Sequence, residues 1–258
     1  VYGTLLQSVS GEIGGASAGG LSGAVRDVLA DPQLGGIHTE STEPETVRLA
    51  EKLAAGFGEA VARRQERARA AGAVRGEVDV RTVWHELLRR EMSPPLPDPL
   101  AFALHVELHH NPTWPMPGAT DVLRALHQRG YRQGIVSNAQ FFTPVILQQQ
   151  LGLGLGEIGI PDAMRVWSYE HGLAKPEPEL FRKIAAGLSG AGVAPEEALY
   201  VGNDMLNDVA GAKQSGMQAA LFAGDKRSYR PRTEDPRVRD IRPDAVLLSL
   251  HTLLELLP

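Results

Sequence analysis

The sequence predicts an α/β protein, a doubly wound parallel sheet with an inserted α-helical domain. In the C-terminal half, short apolar runs alternate with amphipathic helical patterns, which is typical of parallel strands joined by helical crossovers. Residues 21–113 instead show one helical pattern after another, and the proline-containing segment 111–119 leads back to the alternating region. We therefore predict an α/β core of residues 1–11 and 114–258 and a helical domain of residues 12–113.

In the α/β core, the predicted helices carry their apolar residues on one face. Residues 121–130 place Val122, Leu123 and Leu126 on such a face, and the helix is expected to stop at Gly130. The other predicted elements of the core are helices at 142–152, 178–188 and 207–216, strands at 134–138, 163–170, 198–202 and 217–224, and a last strand and helix within 245–257. In the helical domain, helices are predicted at 24–30, 46–70, 80–92 and 100–110.

Composition excludes several classes of function. The 258 residues carry a net charge of −5, so no basic surface for nucleic acid is expected. The absence of cysteine excludes disulfides, thiolate metal sites and cysteine nucleophiles, and it fits a reducing compartment such as the cytoplasm. No apolar run of about 20 residues and no signal-peptide pattern is present, so no membrane partner is expected. We expect a small-molecule ligand, and the oligomeric state is not predicted.

Two carboxylates follow the predicted strand 198–202. Asn203 and Asp204 come directly after it, and Asp208 lies four residues beyond Asp204, on the same face of the helix that begins there. Ligands of doubly wound sheets bind outside the carboxyl ends of the strands. Two close carboxylates are costly without a cation, and oxygen ligands favour Mg²⁺. The equally weighted alternative is that Asp204 caps the helix and Asp208 interacts with its dipole.

Ser137 and Lys175 are candidate anion-binding residues. Ser137 and Asn138 end the predicted strand 134–138, where a hydroxyl and neighbouring backbone N–H groups can hold an anion. Lys175 stands directly before Pro176 and the helix that follows, so that its charge can project towards the strand ends. Taken singly, a strand-terminating turn and an exposed lysine remain the ordinary alternatives.

Together, four segments resemble the motifs of the haloacid dehalogenase-like hydrolase superfamily. "VYGTLL" at 1–6 resembles the end of its first motif and "GIVSN" at 134–138 its second. "HGLAKPEPELF" at 171–181 resembles the third and "YVGNDMLNDVAGA" at 200–212 the fourth. The helical domain falls where this family carries its cap. The resemblance implies a hydrolase whose cap closes over a small substrate and supplies specificity.

The resemblance also implies roles for individual residues. An aspartate at the end of the first strand attacks the substrate and forms an ester. Ser137 binds the transferring group, Lys175 balances its charge, and Asp204 and Asp208 hold Mg²⁺, with the Tyr2 carbonyl as a further ligand. The implied catalytic residues are Tyr2, Ser137, Lys175 and Asp208. The implied substrate-binding residues are Thr4, Ser137, Asn138, Lys175 and Asn203.

The sequence departs from the phosphatase pattern at two places. The nucleophilic aspartate is expected immediately before Val1, at the end of an apolar strand that would pair with the strands on either side of it. Tyr2 stands where phosphatases of the family carry an aspartate as general acid, and tyrosine here resembles the 2-haloacid dehalogenases, which need no metal. We predict a Mg²⁺-dependent phosphatase or phosphotransferase of a small phosphorylated metabolite. The alternatives are a 2-haloacid dehalogenase and a catalytically silent relative that binds a phosphorylated ligand.

One basic segment stays outside these motifs. Residues 225–232, "DKRSYRPR", follow the predicted strand 217–224. We predict a solvated loop, with a position near the substrate entrance as the alternative.

Overall fold

The chain divides into two compact units. A computed structural model describes residues 1–9, 18–31, 43–73, 75–94, 96 and 98–257. Contacts between residues group Val1–Ile13 with Thr113–Pro258 in one unit and place Gly14–Pro112 in the other. The predicted boundary between residues 11 and 12 lies outside the described residues. The division into a core of 1–11 with 114–258 and a cap of 12–113 stays a prediction.

The second unit is helical. Its helices are α1 (Ala18–Leu29), α2 (Glu43–Ala70), α3 (Val80–Glu91) and α4 (Pro99–His110). Asp79 and Asp98 accept hydrogen bonds from the first free N–H groups of α3 and α4, which explains where these helices begin. Trp84 of α3 stacks on Phe57 and meets Phe102 edge-on, with ring centroids 4.6 and 5.3 Å apart, so that aromatic packing joins α2, α3 and α4.

The first unit contains short strands and the helices that connect them. In chain order it comprises β1 (Leu6–Ser8), β2 (Thr113–Pro115), α5 (Ala119–Gln128), β3 (Ile135–Ser137), α6 (Thr143–Leu151), β4 (Arg165–Trp167), α7 (Ser168–His171), α8 (Pro178–Gly190), β5 (Leu199–Gly202), a π-helical turn (Met205–Ala210), α9 (Gly211–Gln214), β6 (Gln218–Phe222), β7 (Ala245–Leu247) and α10 (Leu253–Leu256). No helix in the described part of the chain is both long and apolar enough to cross a bilayer.

The strands pair as the α/β prediction requires. β3 pairs with β4, and β5, β6 and β7 follow one another in a second sheet, all in parallel. Helices connect β3 to β4, β4 to β5 and β5 to β6, which confirms the predicted α/β fold with parallel strands. Between β3 and β5 the structure shows a side-chain link, because the Tyr200 hydroxyl donates to the Val136 carbonyl at 3.0 Å.

The α/β unit buries an apolar layer under β5 and β6. Phe181 of α8, Val209 of the π-helical turn and Ala219 of β6 are fully buried in one cluster. Gly211 approaches the Phe181 ring so closely that any Cβ there would collide with it. This packing holds α8 and the π-helical turn against the strands, and with them the polar residues at the strand ends.

Two local features differ from the sequence prediction. Segment 111–119, expected as a linker, contains β2, which pairs antiparallel with β1 in the register Gln7 to Trp114. Three residues are too few to show alternation, so neither strand was visible in the pattern. A helix was predicted from residue 207, and the structure instead has a π-helical turn from Met205 that is followed by α9. π-helical turns are rare in proteins, and those that occur often lie at functional sites.

Candidate active site

Lys175 is held in the interior by an amide side chain. The Asn138 Oδ1 atom accepts from the Lys175 backbone N–H at 2.7 Å, and the Asn138 Nδ2 group donates to the Lys175 carbonyl at 3.4 Å. Asn138 follows β3, and Lys175 lies just before α8. The two hydrogen bonds therefore join the end of β3 to the segment that carries the lysine.

The Lys175 ammonium lies at the centre of a buried network. Its Nζ atom is 2.5 Å from Asp208 Oδ1, 3.0 Å from the Tyr200 hydroxyl and 3.4 Å from the Val136 carbonyl. The Tyr200 hydroxyl accepts from Lys175 and has one proton to give, either to Val136 O at 3.0 Å or to Asp208 Oδ1 at 3.2 Å. Lys175 and Asp208 are almost fully buried, so this ion pair is shielded from water.

The network keeps both charges in place. Burial favours the neutral form of Lys175, but the Asp208 carboxylate and the Tyr200 hydroxyl outweigh it and raise the pKa of the lysine. Burial likewise favours protonated Asp208, yet Lys175 outweighs it and the pKa of the carboxyl falls below its ordinary value. Burial raises the pKa of Tyr200, which therefore stays a neutral phenol. Near neutral pH the pair is an ammonium and a carboxylate.

Asp208 is brought to Lys175 by the backbone after β5. Its Oδ2 atom accepts from the Asp204 backbone N–H at 3.0 Å. Gly202 faces it, and a Cβ at that position would collide with the Asp208 side chain. Glycine at 202 is therefore required for the close approach of the carboxylate to the strand end.

Asp204 has two functions in this structure. Its Oδ1 atom accepts from the backbone N–H groups of Leu206 and Asn207, at 2.9 and 3.1 Å, and so caps the π-helical turn. The same carboxylate forms a two-point ion pair with Arg232, with Nη2 2.6 Å from Oδ2 and Nε 3.2 Å from Oδ1. Capping, one of the two predicted alternatives for Asp204, is thus present.

The nitrogen of Val1 enters the same network. It lies 3.5 Å from Ser137 Oγ, and the Ser137 hydroxyl donates to the Asn138 carbonyl at 3.0 Å. Any group bonded to this nitrogen would lie beside Ser137.

The first turn of the chain is fixed by polar contacts. Thr4 Oγ1 donates to Asn203 Oδ1 at 3.4 Å, and Asn203 Nδ2 donates to the Ser228 carbonyl at 2.5 Å. Gly3 has a φ of +75°, and a Cβ there would lie 2.6 Å from Asn203 Nδ2, so a side chain is excluded on two grounds. The Tyr2 hydroxyl is 3.4 Å from Thr143 Oγ1 at the start of α6.

The structure brings most of the predicted residues into contact with one another. Contacts link Ser137 to Val1 and Asn138 to Lys175, Lys175 to Asp208, and Thr4 to Asn203. The role expected of the Tyr2 carbonyl towards a metal stays a prediction, as do the catalytic and substrate-binding roles of the others.

Two residues of the site were missed in the sequence. Tyr200 lies two positions before Gly202 in the predicted strand. Because side chains alternate along a strand, both residues lie on the same face, the one that Asp208 contacts, and this alternation was the available signal. Arg232 belongs to the segment 225–232, for which a solvated loop was predicted. That prediction is wrong in part, because Asp225 and Ser228 are buried and Arg232 reaches Asp204. The position of this segment after β6, at the carboxyl ends of the strands, was the signal that could have placed it at the site.

The donor set suits Mg²⁺ in kind. Asp204 and Asp208 supply buried carboxylate oxygens, and Mg²⁺ is commonly held by one or two carboxylates together with water and substrate phosphate. Among the described residues, no group of three or more histidine, cysteine, aspartate or glutamate side chains is arranged to hold a metal. Asp208 Oδ2 accepts a hydrogen bond from Asp204 N, whereas both oxygens of Asp204 are engaged by Arg232.

Curated relatives include several phosphatases. The chain is 29% identical over 165 residues to a glyceraldehyde 3-phosphate phosphatase of Pyrococcus furiosus, covering 56% of this chain and 65% of the relative. It is 32% identical over 160 residues to human haloacid dehalogenase-like hydrolase domain-containing protein 3, covering 60% and 57%. It is 31% identical over 140 residues to a phosphoserine phosphatase of Thermus thermophilus, covering 48% and 55%. The chain thus spans just over half to about two thirds of the length of these relatives.

Solved structures of both enzyme types share the fold. A 2-haloacid dehalogenase from Pseudomonas syringae pv. tomato superposes with a TM-score of 0.55 at 19% identity, covering 99% of this chain and 94% of the other. A phosphatase from Thermococcus onnurineus superposes with a TM-score of 0.52 at 20% identity, covering 100% and 94%. At these identities the similarity concerns the fold alone. The family model of the haloacid dehalogenase-like hydrolases matches residues 1–216, and the chain belongs to that family.

Proposed function

We propose that the protein is a Mg²⁺-dependent phosphatase of a small phosphorylated metabolite that acts through an aspartyl intermediate. The observation that carries this proposal is the buried Lys175–Asp208 pair, which Asn138 links to the end of β3, where Ser137 contacts the Val1 nitrogen. Phosphoryl transfer depends on positioned charge more than on elaborate chemistry. A lysine kept charged in the interior meets that requirement.

Each residue has a task in this proposal. Lys175 balances the negative charge of the transferring phosphoryl group, and Asp208 and Tyr200 hold its Nζ atom in place from two sides. Asn138 fixes the backbone of Lys175, so we propose that it positions the lysine and does not bind substrate through its amide. The Ser137 hydroxyl turns from the Asn138 carbonyl towards a phosphoryl oxygen.

The nucleophile is proposed to be an aspartate bonded to the nitrogen of Val1. That nitrogen lies 3.5 Å from Ser137 Oγ, so the preceding residue would lie beside Ser137. Its carboxylate attacks phosphorus and the bond to the substrate oxygen breaks, the released alcohol taking a proton from water. A water molecule then attacks the same phosphorus, which releases phosphate and restores the carboxylate.

Asp204 and Asp208 are the proposed holders of Mg²⁺, with the Tyr2 carbonyl. When bound, the ion would supply positive charge to the phosphoryl oxygens. The acid pair is the feature that favours phosphate chemistry, and the phosphatases among the curated relatives support the same choice.

A 2-haloacid dehalogenase is the second candidate. It is favoured by Tyr2 in place of a general acid and by the Arg232 guanidinium, which neutralises Asp204 without a metal. This candidate predicts halide release that does not depend on Mg²⁺, and it predicts that loss of Asp208 matters more than loss of Asp204.

One assay separates the two reactions. Purified full-length protein is given glyceraldehyde 3-phosphate, phosphoserine and p-nitrophenyl phosphate, and separately 2-chloropropionate, each with Mg²⁺ or with EDTA. Phosphate release that needs Mg²⁺ supports the proposal, and halide release in EDTA supports the second candidate. Release of neither product contradicts both and leaves the ligand-binding alternative.

The intermediate provides a second test. Borohydride reduction of the protein during turnover, followed by peptide mass spectrometry, would locate the modified aspartate. A modified residue bonded to Val1 supports the proposal. Modification elsewhere in the chain contradicts the assigned nucleophile.

A further inference from the structure

The loop that follows β6 is fixed against the site. Within this loop, Asp225–Arg232, the Arg230 N–H donates to the Asn203 carbonyl and the Met205 N–H donates to the Arg230 carbonyl, both at 2.9 Å. The Ser228 carbonyl accepts from Asn203 Nδ2, and the buried Ser228 hydroxyl donates to Asp225 Oδ2 at 2.9 Å. The loop therefore has a defined position beside the end of β5.

The backbone of Arg232 has an unusual conformation. Its φ is +52°, and among the described residues it is the only non-glycine residue with a positive φ. Residues with a Cβ are disfavoured there, so the surrounding contacts must hold the arginine in this conformation. The two-point ion pair with Asp204 is the contact that its side chain makes at the site.

The ion pair occupies the carboxylate that is proposed to bind the metal. Asp204 Oδ1 accepts from Leu206 N, Asn207 N and Arg232 Nε, and Oδ2 accepts from Asn207 Nδ2 and Arg232 Nη2. The capping bonds lie on the backbone side and fit a metal-bound carboxylate. The guanidinium does not, because it engages both oxygens of Asp204 and would place its positive charge beside that of the ion, whereas Lys175 contacts only Oδ1 of Asp208.

Charge balance leads to the same conclusion. Lys175 compensates Asp208, and Arg232 compensates Asp204, so the four side chains are neutral together. With the proposed nucleophilic aspartate the site carries one negative charge, so a divalent ion leaves one excess positive charge, which disappears when one cation moves away. Lys175 is buried, whereas Arg232 is about one third exposed and can turn into solvent.

We infer that Arg232 is an internal competitor of Mg²⁺ for Asp204, and that it lowers the affinity of the site for the ion. Mg²⁺ binds when the guanidinium leaves Asp204, and the apparent affinity is proportional to the fraction of time that Asp204 is free of Arg232. The inference rests on the proposed Mg²⁺ site at Asp204 and Asp208. It does not depend on which substrate the protein hydrolyses.

The test measures Mg²⁺ binding without turnover. Isothermal titration with MgCl₂ compares the full-length protein with Arg232→Gly, because glycine adopts a positive φ without strain and removes the charge. If the open state is populated at about 10% or less, the dissociation constant for Mg²⁺ falls about tenfold or more in the variant.

A control variant separates the effect of the direct contact between Arg232 and Asp204 from the effect of a positive charge nearby. Asp235 and, to a smaller extent, Asp204 raise the pKa of Arg237, and its guanidinium pairs with Asp235, at 2.6 Å between Nη2 and Oδ2. Arg237→Ala removes one positive charge near the site and is expected to change Mg²⁺ affinity by less than about threefold. Affinity in Arg232→Gly that is unchanged, weaker, or no tighter than in Arg237→Ala overturns the inference.

One further variant keeps the result unambiguous. Arg232→Lys retains the charge but loses the forked geometry, and we expect its affinity to lie between those of the wild type and Arg232→Gly. This variant decides the question if thermal denaturation shows that Arg232→Gly is unfolded, and an affinity equal to that of the wild type then contradicts competition. Mg²⁺ that binds neither the wild type nor the variants also overturns the inference, while phosphate release measured with MgCl₂ and with EDTA shows independently whether a phosphatase activity is present and whether it needs the ion.

Discussion

The site contains two ion pairs that differ in their surroundings. Lys175 and Asp208 have side chains that are 8% and 6% exposed, and both come from segments packed on the strands. In the second pair, Asp204 is 8% exposed but Arg232 is 35% exposed and belongs to a loop. A buried ion pair cannot be broken without leaving an unpaired charge in the interior, whereas a partly exposed cation can leave its carboxylate and be replaced there by another cation. We therefore assign a permanent role to the first pair and an exchangeable role to the second.

A second comparison shows what the lysine does for its partner. Glu107 of α4 is a partly buried carboxylate whose hydrogen-bond partner is the uncharged amide of Asn111, and burial raises its pKa to about 7. Asp208 is also buried, but beside Lys175 its pKa is lowered. Burial alone thus raises the pKa of a carboxyl group, and a cation in contact with the carboxylate lowers it again.

The largest effect is expected from breaking the buried pair. Lys175→Met leaves the Asp208 carboxylate without its cation, and we expect turnover to be lost and stability to fall by about 3–5 kcal/mol in urea unfolding. The double variant Lys175→Met/Asp208→Asn removes both charges and should recover most of that stability but no activity.

A surface lysine serves as the control for this prediction. Lys213 contacts Asp244 at 2.7 Å in an exposed pair, and Lys213→Met is expected to cost less than about 1 kcal/mol. Equal losses in the two lysine variants would remove the distinction between a buried and an exposed pair.

Crowding the same pair should have the next largest effect. Gly202→Ala places a Cβ against the Asp208 side chain, and we expect a loss of about 1–3 kcal/mol together with reduced turnover. Gly190→Ala is the control, because no atom lies within 4 Å of a Cβ at that position. Stability of Gly202→Ala equal to that of Gly190→Ala would show that Asp208 can move away at no cost.

The pH dependence of stability tests the role of burial at Glu107 in the helical unit. The folded pKa of Glu107, about 7, exceeds its ordinary value of 4.5, so the folded state binds the extra proton and stability falls as pH rises from about 4.5 to 7. Glu107→Gln lacks this loss and should be more stable than the wild type by about 1–2 kcal/mol at pH 8, and not at pH 4. Thermal denaturation at both pH values measures the difference.

Glu91 in the same unit provides the opposite case. Lys52 and Arg90 lower the pKa of Glu91, so its contribution to stability is present above its ordinary pKa and is lost as pH falls below it. Glu91→Gln should therefore lose stability at pH 8, and a gain there would contradict the assignment of its partners.

The smallest effect on stability is expected at the exchangeable pair. Asparagine retains the capping oxygen, so Asp204→Asn should change the free energy of unfolding by less than about 1 kcal/mol while it weakens Mg²⁺ binding. Asp204→Ala also removes the cap and should cost about 1–2 kcal/mol. An unchanged Mg²⁺ titration in Asp204→Asn would remove this residue from the metal site.

The order of helices and parallel strands could be predicted from the sequence because it depends on local patterns. Apolar periodicity identified α8 and β5, and the rule that ligands lie at the carboxyl ends of strands selected Ser137 and Asp208, whereas Lys175 was selected by its place before Pro176 and by the family resemblance. These residues lie together because parallel strands end at the same edge. The pattern of three-residue strands such as β1 and β2 is too short to be recognised.

The sequence by itself determined the family, the fold class and part of the set of residues that meet at the strand ends. The tertiary structure alone decided which cation meets which carboxylate. Asp204 and Asp208 are equivalent in the sequence, four residues apart, yet Lys175 contacts Asp208 and Arg232 contacts Asp204. The physical reason is that ion pairing depends on distances of a few ångströms between segments far apart in the chain, and no local pattern contains those distances.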